Sequence, residues 1–255
     1  MIQVLDQGYV KLIEHWGSDE RIIESARMST DKGFLGWGPY PCSACGGETL
    51  GKGTGGSKDF PCKKCEGTGY TKGDEKLLEY LWNNKHTTPF EMAGFTCEIQ
   101  APIFVFRQWH RHRTQSYNEM SGRYIQLPDM FYLPSVERLI QSSKANANKQ
   151  ASGTQELDEA SAKSAQDYIK IVLRNQRADY ETLCNTGIAN ELARLVLPVA
   201  QYSRMRASAN LLNWLKFLTL RMDHHAQWEI QQYAYAVAQL VEEKFPRTYK
   251  LFQGE

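Results

Sequence analysis

The sequence lacks the features that define several large classes of protein. No apolar run approaches the roughly 20 residues needed to cross a bilayer, and the N-terminal segment has no apolar core of the kind found in signal peptides. An excess of charge of one sign is also missing, since 30 basic and 29 acidic residues give a formal net charge of +1. We therefore expect a cytoplasmic protein with no general electrostatic reason to bind membranes or nucleic acid.

Common catalytic motifs are missing too. The sequence contains no GxSxG, Walker A or HExxH pattern, so hydrolase, P-loop and zinc-protease chemistries gain no support. Cys97 lies in an alternating segment and Cys184 in a predicted helix, and neither has an obvious base nearby in the sequence. We interpret both as small buried hydrophobic residues rather than nucleophiles.

Composition and periodicity indicate an α+β protein in which helices dominate. Hydrophobic residues make up 42% of the 255 residues, enough for one large domain or one domain with an insert. Residues 135–165 are polar and are expected to form an exposed loop. Strands are predicted before Ser18 and at 95–100. Helices are predicted from Ser18, over 75–84, over 102–109, up to about Cys184, over 188–197, over 209–221 and over 226–244.

The six cysteines are unevenly placed. Four of them form two CxxC pairs, Cys42 with Cys45 and Cys62 with Cys65, and sixteen residues lie between the pairs. This spacing is typical of tetrahedral zinc sites, and in a reducing compartment it favours a metal over disulfides. Four thiolates leave no open ligand position, so we expect a structural Zn²⁺ ion. Redox-active or unliganded cysteines are the alternative.

The segment around these cysteines, residues 34–73, is rich in glycine and poor in large aliphatic side chains. Such a segment cannot form its own hydrophobic core. We interpret it as an inserted, zinc-ribbon-like module within a domain that spans 1–255. Its second half, CKKCEGTG, resembles the CxxCxGxG repeats of DnaJ-type cysteine-rich domains. Its scattered lysines are interpreted as a solvated surface, so binding to nucleic acid is not favoured.

A polar stretch, RHRTQSYNEMSGRY at 111–124, directly follows the apolar segment APIFVFRQW. Its three arginines carry planar guanidinium groups that match phosphate or carboxylate oxygens two at a time. Gln108 lies about one helical turn before Arg111 and could face the same pocket. An anion-binding pocket is one interpretation. A solvated loop, in which Glu119 pairs with an arginine, is the other, and the residues alone leave both open.

Two further arginines stand out in the C-terminal half. Arg194 lies between apolar residues in ELARLVLP, and Arg221 ends the segment LLNWLKFLTLR. A basic residue at the end of a helix is also explained by the helix dipole alone. The adjacent pair His224 and His225 is weak evidence for a metal, because neighbouring side chains on a helix point about 100° apart.

The polar stretch resembles the RHRxxSxNExSxRY signature of the flavin-dependent thymidylate synthases at all nine fixed positions. The segments HTTPFE at 86–91, APIFVFRQW at 101–109, ARLVLP at 193–198 and LRMDHHAQWEIQQYA at 220–234 also resemble segments of that family. The likeness covers about residues 1–30 and 74–250 and leaves out the cysteine-rich insert.

This resemblance implies a mostly helical α+β fold with a small antiparallel sheet, assembled as a homotetramer whose active sites are shared between subunits. It implies reductive methylation of dUMP to dTMP, with 5,10-methylenetetrahydrofolate as the carbon donor. It also implies tightly bound FAD, which NADPH reduces. Members of the family need no cysteine nucleophile.

The resemblance also implies roles for particular residues. Arg221 would stabilise negative charge on the uracil ring, Ser121 would position the ring, and His86 would lie near flavin and folate; these three form the expected catalytic set. The residues implied to bind dUMP are Gln108, Arg111, Glu119, Ser121, Gly122, Arg123, Arg194 and Arg221. Those implied to bind FAD are Thr88, Arg111, His112, Arg113, Glu119 and Asn213.

One segment departs from the family pattern. Where many members carry Asn-Ala-Arg, which helps to hold FAD, this chain has Ala207-Ser208-Ala209 by our alignment. We hypothesise that Arg204 or Arg206 substitutes. Two other functions stay open: related flavin and folate chemistry on another pyrimidine nucleotide, such as dCMP or a hydroxymethylated product, and a catalytically inactive, zinc-stapled binding protein.

Overall fold

A computed structural model describes residues 1–48, 61–144, 153 and 155–254. The chain forms two compact units. The first contains Met1–His15, Phe95–Ala209 and Asn213–Leu240, and the second contains Trp16–Gly94, Asn210–Leu212 and Val241–Glu255. None of the helices in the described residues has the length and hydropathy that a membrane span requires.

The strands of the main sheet come from distant parts of the sequence. They are β1 (Ile2–Val4), β2 (Gly8–Trp16), β5 (Gly94–Pro102), β6 (Ser116–Glu119) and β7 (Tyr202–Asn210), in the order β1-β2-β5-β7-β6. Strand β1 pairs antiparallel with β2, and β6 pairs antiparallel with β7. Two short strands, β3 (Tyr40–Pro41) and β4 (Tyr70–Thr71), form a separate antiparallel pair.

Helices make up most of the remaining secondary structure in the described residues. The α-helices are α1 (Asp19–Arg27), α2 (Glu75–Asn83), α3 (Ile103–Trp109), α4 (Val136–Ser143), α5 (Glu159–Asn185), α6 (Asn190–Ala193), α7 (Leu211–Arg221), α8 (Trp228–Lys244) and α9 (Pro246–Gln253). Short 3₁₀ turns cover Met28–Thr30, Thr88–Glu91 and Arg194–Val196. The expected α+β class, with many helices and a small antiparallel sheet, is confirmed.

An aromatic cluster forms the core of the first unit and holds α3 in place. The Trp109 ring stacks on Phe217 at 4.5 Å and meets Tyr233 edge to face at 6.3 Å. The Phe95 ring stacks on Trp214 at 4.5 Å, and all five side chains are buried. Trp109 is the last residue of α3, so the polar stretch that follows begins from a rigid point.

Several predicted elements need correction. Residues 135–165 are not one loop, because α4 begins after Ser135, whose hydroxyl accepts the Arg138 N–H at 3.2 Å, and α5 begins after Asp158. Residues 145–152 and 154 lie outside the described residues. The helix expected from 209 begins at Leu211, because residues 202–210 form a strand that buries alternate side chains. The helix expected over 188–197 is α only over Asn190–Ala193.

In the second unit, the start and end of the cysteine-rich segment are joined by Asp74. Its carboxylate accepts the backbone N–H groups of Leu35 at 2.7 Å and Gly36 at 3.2 Å, and it pairs with Arg27. Asp74 is only 2% exposed, so this charged residue is almost fully buried. A buried carboxylate with several donors fixes the backbone around it.

Candidate active site and metal centre

The two CxxC pairs come together in the second unit. The Sγ atoms of Cys42 and Cys62 lie 3.8 Å apart, and those of Cys45 and Cys65 lie 3.7 Å apart. All four Sγ atoms lie within 4.8 Å of one another, and all four cysteines are buried. A Zn–S bond of about 2.3 Å with tetrahedral angles places ligand sulfurs about 3.8 Å apart. The arrangement therefore fits a four-thiolate zinc site.

The turns that carry the cysteines also fit a metal site. The Gly46 N–H donates to the Cys42 carbonyl at 2.6 Å, with Gly46 at a φ of 67° that suits glycine. The Gly69 N–H donates to Cys65 Sγ at 3.3 Å. Such N–H···S contacts stabilise thiolates. Residues 49–60, which connect the two pairs, lie outside the described residues, so the expected module of 34–73 stays a prediction.

In the first unit, Arg221 lies directly against the polar stretch. Its Nε donates to His112 Nε2 at 2.9 Å, and its Nη2 donates to the Gln108 carbonyl oxygen at 2.8 Å. The His112 carbonyl in turn accepts the Tyr117 hydroxyl at 2.7 Å. Since His112 Nε2 accepts, its proton sits on Nδ1. The guanidinium of Arg221 is thus held in one orientation from two sides.

Burial and charge both keep this histidine neutral. His112 is 9% exposed, and burial together with the charge of Arg221 lowers the pKa of His112 to about 4. Burial and the charge of Arg111 also lower the pKa of Arg221. The region is therefore a partly desolvated, positively charged site. Such a site attracts an anion, because the ligand's charge offsets the repulsion between the guanidinium groups.

The signature serine, glycine and arginine lie on a turn after β6. The Ser121 hydroxyl accepts the Arg123 N–H at 3.3 Å, and Arg123 Nε pairs with the Glu191 carboxylate at 3.0 Å. A Cβ atom at Gly122 would lie 3.2 Å from Cδ1 of Leu127 and 3.3 Å from Cδ of Arg194. Glycine therefore lets Arg194 approach the backbone here without a shift of neighbouring atoms. The structure thus brings Ser121, Gly122, Arg123 and Arg194 together.

The other residues implied to bind ligands in this unit are more exposed. Arg111 and Arg113, like Arg194, form no ion pair within the part of the chain that the structure describes. The Asn213 side chain contacts the Thr114 carbonyl at 3.5 Å. Arginines of this kind beside a partly desolvated cation match the donor set needed for a phosphorylated ligand. The alternative was a solvated loop in which Glu119 pairs with an arginine. Among the described residues, the one arginine of the stretch with an ion pair is Arg123, and its partner is Glu191 rather than Glu119.

Glu119 lines a cleft on the polar face of the sheet. On β6 it pairs with Met205 of β7, and its neighbour Asn118 pairs with Arg206. The cleft has a volume of about 380 Å³ and also contains Arg204 and Glu98. The residues at the departure from the family pattern, 207 and 209, point to the buried face of the same strand. Both arginines proposed to replace the missing family arginine are thus beside Glu119.

His86 and Thr88 belong to the second unit. They line a cavity of about 500 Å³ together with Lys85, Thr87 and Met92. The His86 ring meets the ring of the tyrosine at position 80 edge to face at 5.5 Å. The cavity combines an aromatic ring, hydroxyl groups and a cation, which is a suitable lining for a polar aromatic ligand.

Sequence reasoning missed two residues that contact the site. Gln227 accepts a hydrogen bond from Gln108, and it donates one to Glu229, which is 3% exposed. Both lie in LRMDHHAQWEIQQYA, where the sequence indicated only a likeness to a family segment. A glutamate in an otherwise apolar helical stripe was the available signal, because such a residue is rarely buried without a partner.

Comparison with known proteins identifies the family. Residues 11–247 match the sequence model described as "Thymidylate synthase complementing protein". A flavin-dependent thymidylate synthase of Thermus thermophilus is 37% identical over 99% of this chain and 78% of its own length. One from Pseudothermotoga lettingae is 36% identical over 98% of this chain and 92% of its own length. The chain belongs to the flavin-dependent thymidylate synthases.

A solved structure agrees with membership of this family. The UMP/dUMP methylase PolB of Streptomyces cacaoi, bound with 5-Br dUMP, superposes with a TM-score of 0.74 and 27% sequence identity. The match covers 99% of this chain and 97% of the other. The resemblance inferred from the signature motif is confirmed, and the chain is therefore an enzyme of a flavin-dependent family. The inactive, zinc-stapled binding protein loses its support.

Proposed function

We propose that this flavin-dependent thymidylate synthase converts dUMP to dTMP. The net reaction consumes dUMP, 5,10-methylenetetrahydrofolate, NADPH and a proton, and it yields dTMP, tetrahydrofolate and NADP⁺. The C5–H bond of uracil is broken and a C5–CH₃ bond is formed. The relatives' names support the chemistry. The observation in this chain that carries the proposal is the desolvated cation Arg221 held between His112 and the Gln108 carbonyl.

Arg221 would act by electrostatics. C5 of uracil attacks the folate carbon as an enolate-like nucleophile, so negative charge develops on the ring. A guanidinium already fixed in a partly desolvated site stabilises that charge without reorganisation. Because His112 stays neutral at physiological pH, it does not compete for the substrate's negative charge. Ser121 would position the ring in this scheme, and His86 would lie near flavin and folate.

Binding of dUMP would use the neighbouring groups. Arg111, Arg123 and Arg194 would take the phosphate, where each charge-assisted contact is worth roughly 1.5–3 kcal/mol. The proximity of Ser121, Gly122, Arg123 and Arg194 supports this assignment. The residues that would contact the rest of the nucleotide are Gln108, Glu119, Ser121 and Gly122.

A second set of residues would hold FAD. Arg111 and Arg113, which form no ion pair within the described residues, suit its pyrophosphate, and neutral His112 offers an N–H donor. When bound, the flavin supplies the hydride that completes the methyl group, and NADPH restores it. The protein's part is to bind, orient and exclude water. The full proposed set is Thr88, Arg111, His112, Arg113, Glu119 and Asn213.

We also propose that Cys42, Cys45, Cys62 and Cys65 hold a structural Zn²⁺ ion in an inserted module of 34–73. The sulfur spacing supports a closed tetrahedral site. Binding of zinc would contribute on the order of 10 kcal/mol to ordering this segment. Because no ligand position is left for water, the zinc would take no part in catalysis.

A homotetramer with shared active sites is proposed as the assembly. Large apolar side chains are exposed on either side of Arg194: Leu192 is 55% exposed, Leu195 76% and Val199 63%. An exposed apolar patch of this kind, beside a residue that is expected to bind the nucleotide, is typical of a surface that another subunit covers. The patch supports an assembly in which Arg194 acts at a subunit interface.

The test uses purified enzyme with FAD, NADPH, methylenetetrahydrofolate and dUMP tritiated at C5. We expect tritium release together with dTMP identified by mass. Arg221→Ala should lower kcat by about two orders of magnitude, whereas Arg107→Ala, an exposed arginine of α3, should not change it. Bound flavin that NADPH reduces, without any tritium release, would contradict the proposal.

A second candidate substrate is UMP. The solved structure with 27% identity is that of a UMP/dUMP methylase, so acceptance of a ribose is a specific alternative, alongside the dCMP and hydroxymethyl alternatives. UMP and dCMP belong in the same assay as parallel substrates. Methylated UMP as the main product would replace dUMP by UMP in the proposal.

A further inference from the structure

A buried carboxylate lies behind the candidate nucleotide site. Glu229, near the start of α8, is 3% exposed. Its Oε1 accepts from Arg138 Nε at 2.8 Å and from the Tyr132 hydroxyl at 3.1 Å. The Arg138 guanidinium also lies 5.4 Å from the Trp228 ring centre. These contacts hold the carboxylate in one position and keep it ionised.

The ionised Glu229 carboxylate determines how the Gln227 side chain is oriented. Gln227 Nε2 donates to Glu229 Oε2 at 2.8 Å. A carboxylate only accepts hydrogen bonds, so the NH₂ group of Gln227 must face it and the amide oxygen must face away. The charge of Glu229 therefore fixes the polarity of the Gln227 amide.

The fixed amide of Gln227 in turn determines the orientation of the Gln108 side chain. Gln227 Oε1 accepts from Gln108 Nε2 at 2.5 Å. The Gln108 side chain therefore directs one N–H toward Gln227, and its amide oxygen and second N–H remain available to a ligand. The Gln108 backbone is held independently, because Arg221 Nη2 donates to its carbonyl. Two sets of contacts, from opposite ends of the residue, thus fix its orientation.

We propose that Glu229 and Gln227 are positioning residues that orient the Gln108 amide for the pyrimidine nucleotide. The inference rests on the proposed function, in which Gln108 contacts dUMP. Neither residue touches the nucleotide in this scheme. Their effect passes through the amide of Gln108, whose polarity they fix before the substrate arrives, so that no binding free energy is lost in ordering it.

A double-mutant cycle on the FAD-loaded enzyme tests the inference. The variants are Gln227→Met, Gln108→Ala and the double variant, and dUMP affinity is measured by titration calorimetry. Gln227→Met keeps the side-chain length but removes the amide. We expect the Kd for dUMP to rise about 10-fold in Gln227→Met, whereas kcat at saturating dUMP changes less than about 2-fold. In the Gln108→Ala background the same change should alter Kd less than about 2-fold.

The control is Gln239→Met, which removes an exposed amide from the same helix and should leave the Kd unchanged. Equal effects of Gln227→Met with and without Gln108, or no effect at all, would overturn the positioning role. Failure of the unmutated enzyme to bind dUMP would instead overturn the proposed function on which the inference rests. The two failures are therefore distinguishable.

Discussion

Among single residues, His112 makes the free energy of unfolding depend on pH, because its pKa differs between the folded and the unfolded state. Its pKa is lowered to about 4 by burial and by Arg221, from an ordinary value of 6.5. The unfolded chain therefore binds a proton at higher pH than the folded chain does. The stability that neutral His112 contributes is complete above about pH 6.5 and is lost as the pH falls toward 4. At pH 5 the loss should be about 2 kcal/mol.

The measurement is urea unfolding of the wild type and of His112→Gln at pH 7 and pH 5. Glutamine can still accept from Arg221 but does not titrate in this range. We expect the wild type to lose about 2 kcal/mol more than the variant between the two pH values. Equal losses in both proteins would mean that His112 binds a proton at pH 5 as readily in the folded state as in the unfolded state.

Arg204 and Arg206 lead to a second prediction for single residues. Both are exposed on β7 beside Glu119, and Arg206 Nε lies 3.6 Å from the Glu98 carboxylate. If one of them replaces the missing family arginine, its change to alanine should weaken FAD binding about 10-fold, the value of one charge-assisted hydrogen bond. Flavin fluorescence measures this, with Arg107→Ala as the control. Unchanged affinity in both variants would end the hypothesis.

The sequence predicted individual site residues better than their contacts. A nine-position signature located Arg111, His112 and Ser121, because each fixed position carries chemical information. The pairing of His112 with Arg221 joins residues 109 positions apart. No local periodicity encodes such a pair, so only the packed structure reveals that Arg221 does more than complement a helix dipole. The roles assigned to these residues remain predictions.

Among the elements, predictions succeeded where a local signal was strong. Ser18 caps α1 by accepting the Arg21 N–H, and Pro102 immediately precedes α3. The last two residues of strand β7, 209 and 210, were assigned to the following helix, because Ala209 has a high helix propensity and directly precedes the helical pattern. Helix α4 was missed because its polar composition suggested a loop. Tertiary pairing with β6, not propensity, decides β7.

A buried carboxylate of helix α1 caps helix α9, and this contact leads to a prediction about the stability of these two helices. The Asp19 carboxylate, 3% exposed, accepts the backbone N–H groups of Arg247 at 2.8 Å and Thr248 at 3.2 Å, and the Thr248 hydroxyl at 2.6 Å. It thereby caps the first turn of α9. Asp19→Ala would leave these donors unpaired in a buried position, so the free energy of unfolding should fall by about 2 kcal/mol.

The matched control is Glu24→Ala on the same helix. Glu24 forms an i,i+3 ion pair with Arg21, and both side chains are substantially exposed. Such pairs contribute at most about 1 kcal/mol, so this variant should unfold at nearly the wild-type urea concentration. A loss in Asp19→Ala no larger than that in Glu24→Ala would contradict the capping role.

For the whole molecule, family membership and zinc binding are separate questions. Ordinary α+β patterning and a signature motif identified the enzyme family, whereas the cysteine-rich segment lies outside that likeness. This segment was recognisable because two CxxC pairs occur in a glycine-rich stretch that has no apolar core of its own. In the structure, the four sulfur atoms lie within 4.8 Å of one another, which fits a zinc site. The positions of the cysteines along the sequence predict such a cluster, but only the fold shows that the sulfur atoms meet.

Zinc should therefore stabilise the protein without taking part in the reaction. Native mass spectrometry should find one zinc ion per chain in the wild type and none in Cys62→Ser, because three thiolates do not close the site. Cys184→Ser, a control cysteine outside the cluster, should keep the metal. The zinc-free variant should melt several degrees lower, and its remaining folded fraction should still release tritium from dUMP. Loss of turnover in fully folded, flavin-loaded Cys62→Ser would instead assign the metal a role in the active site.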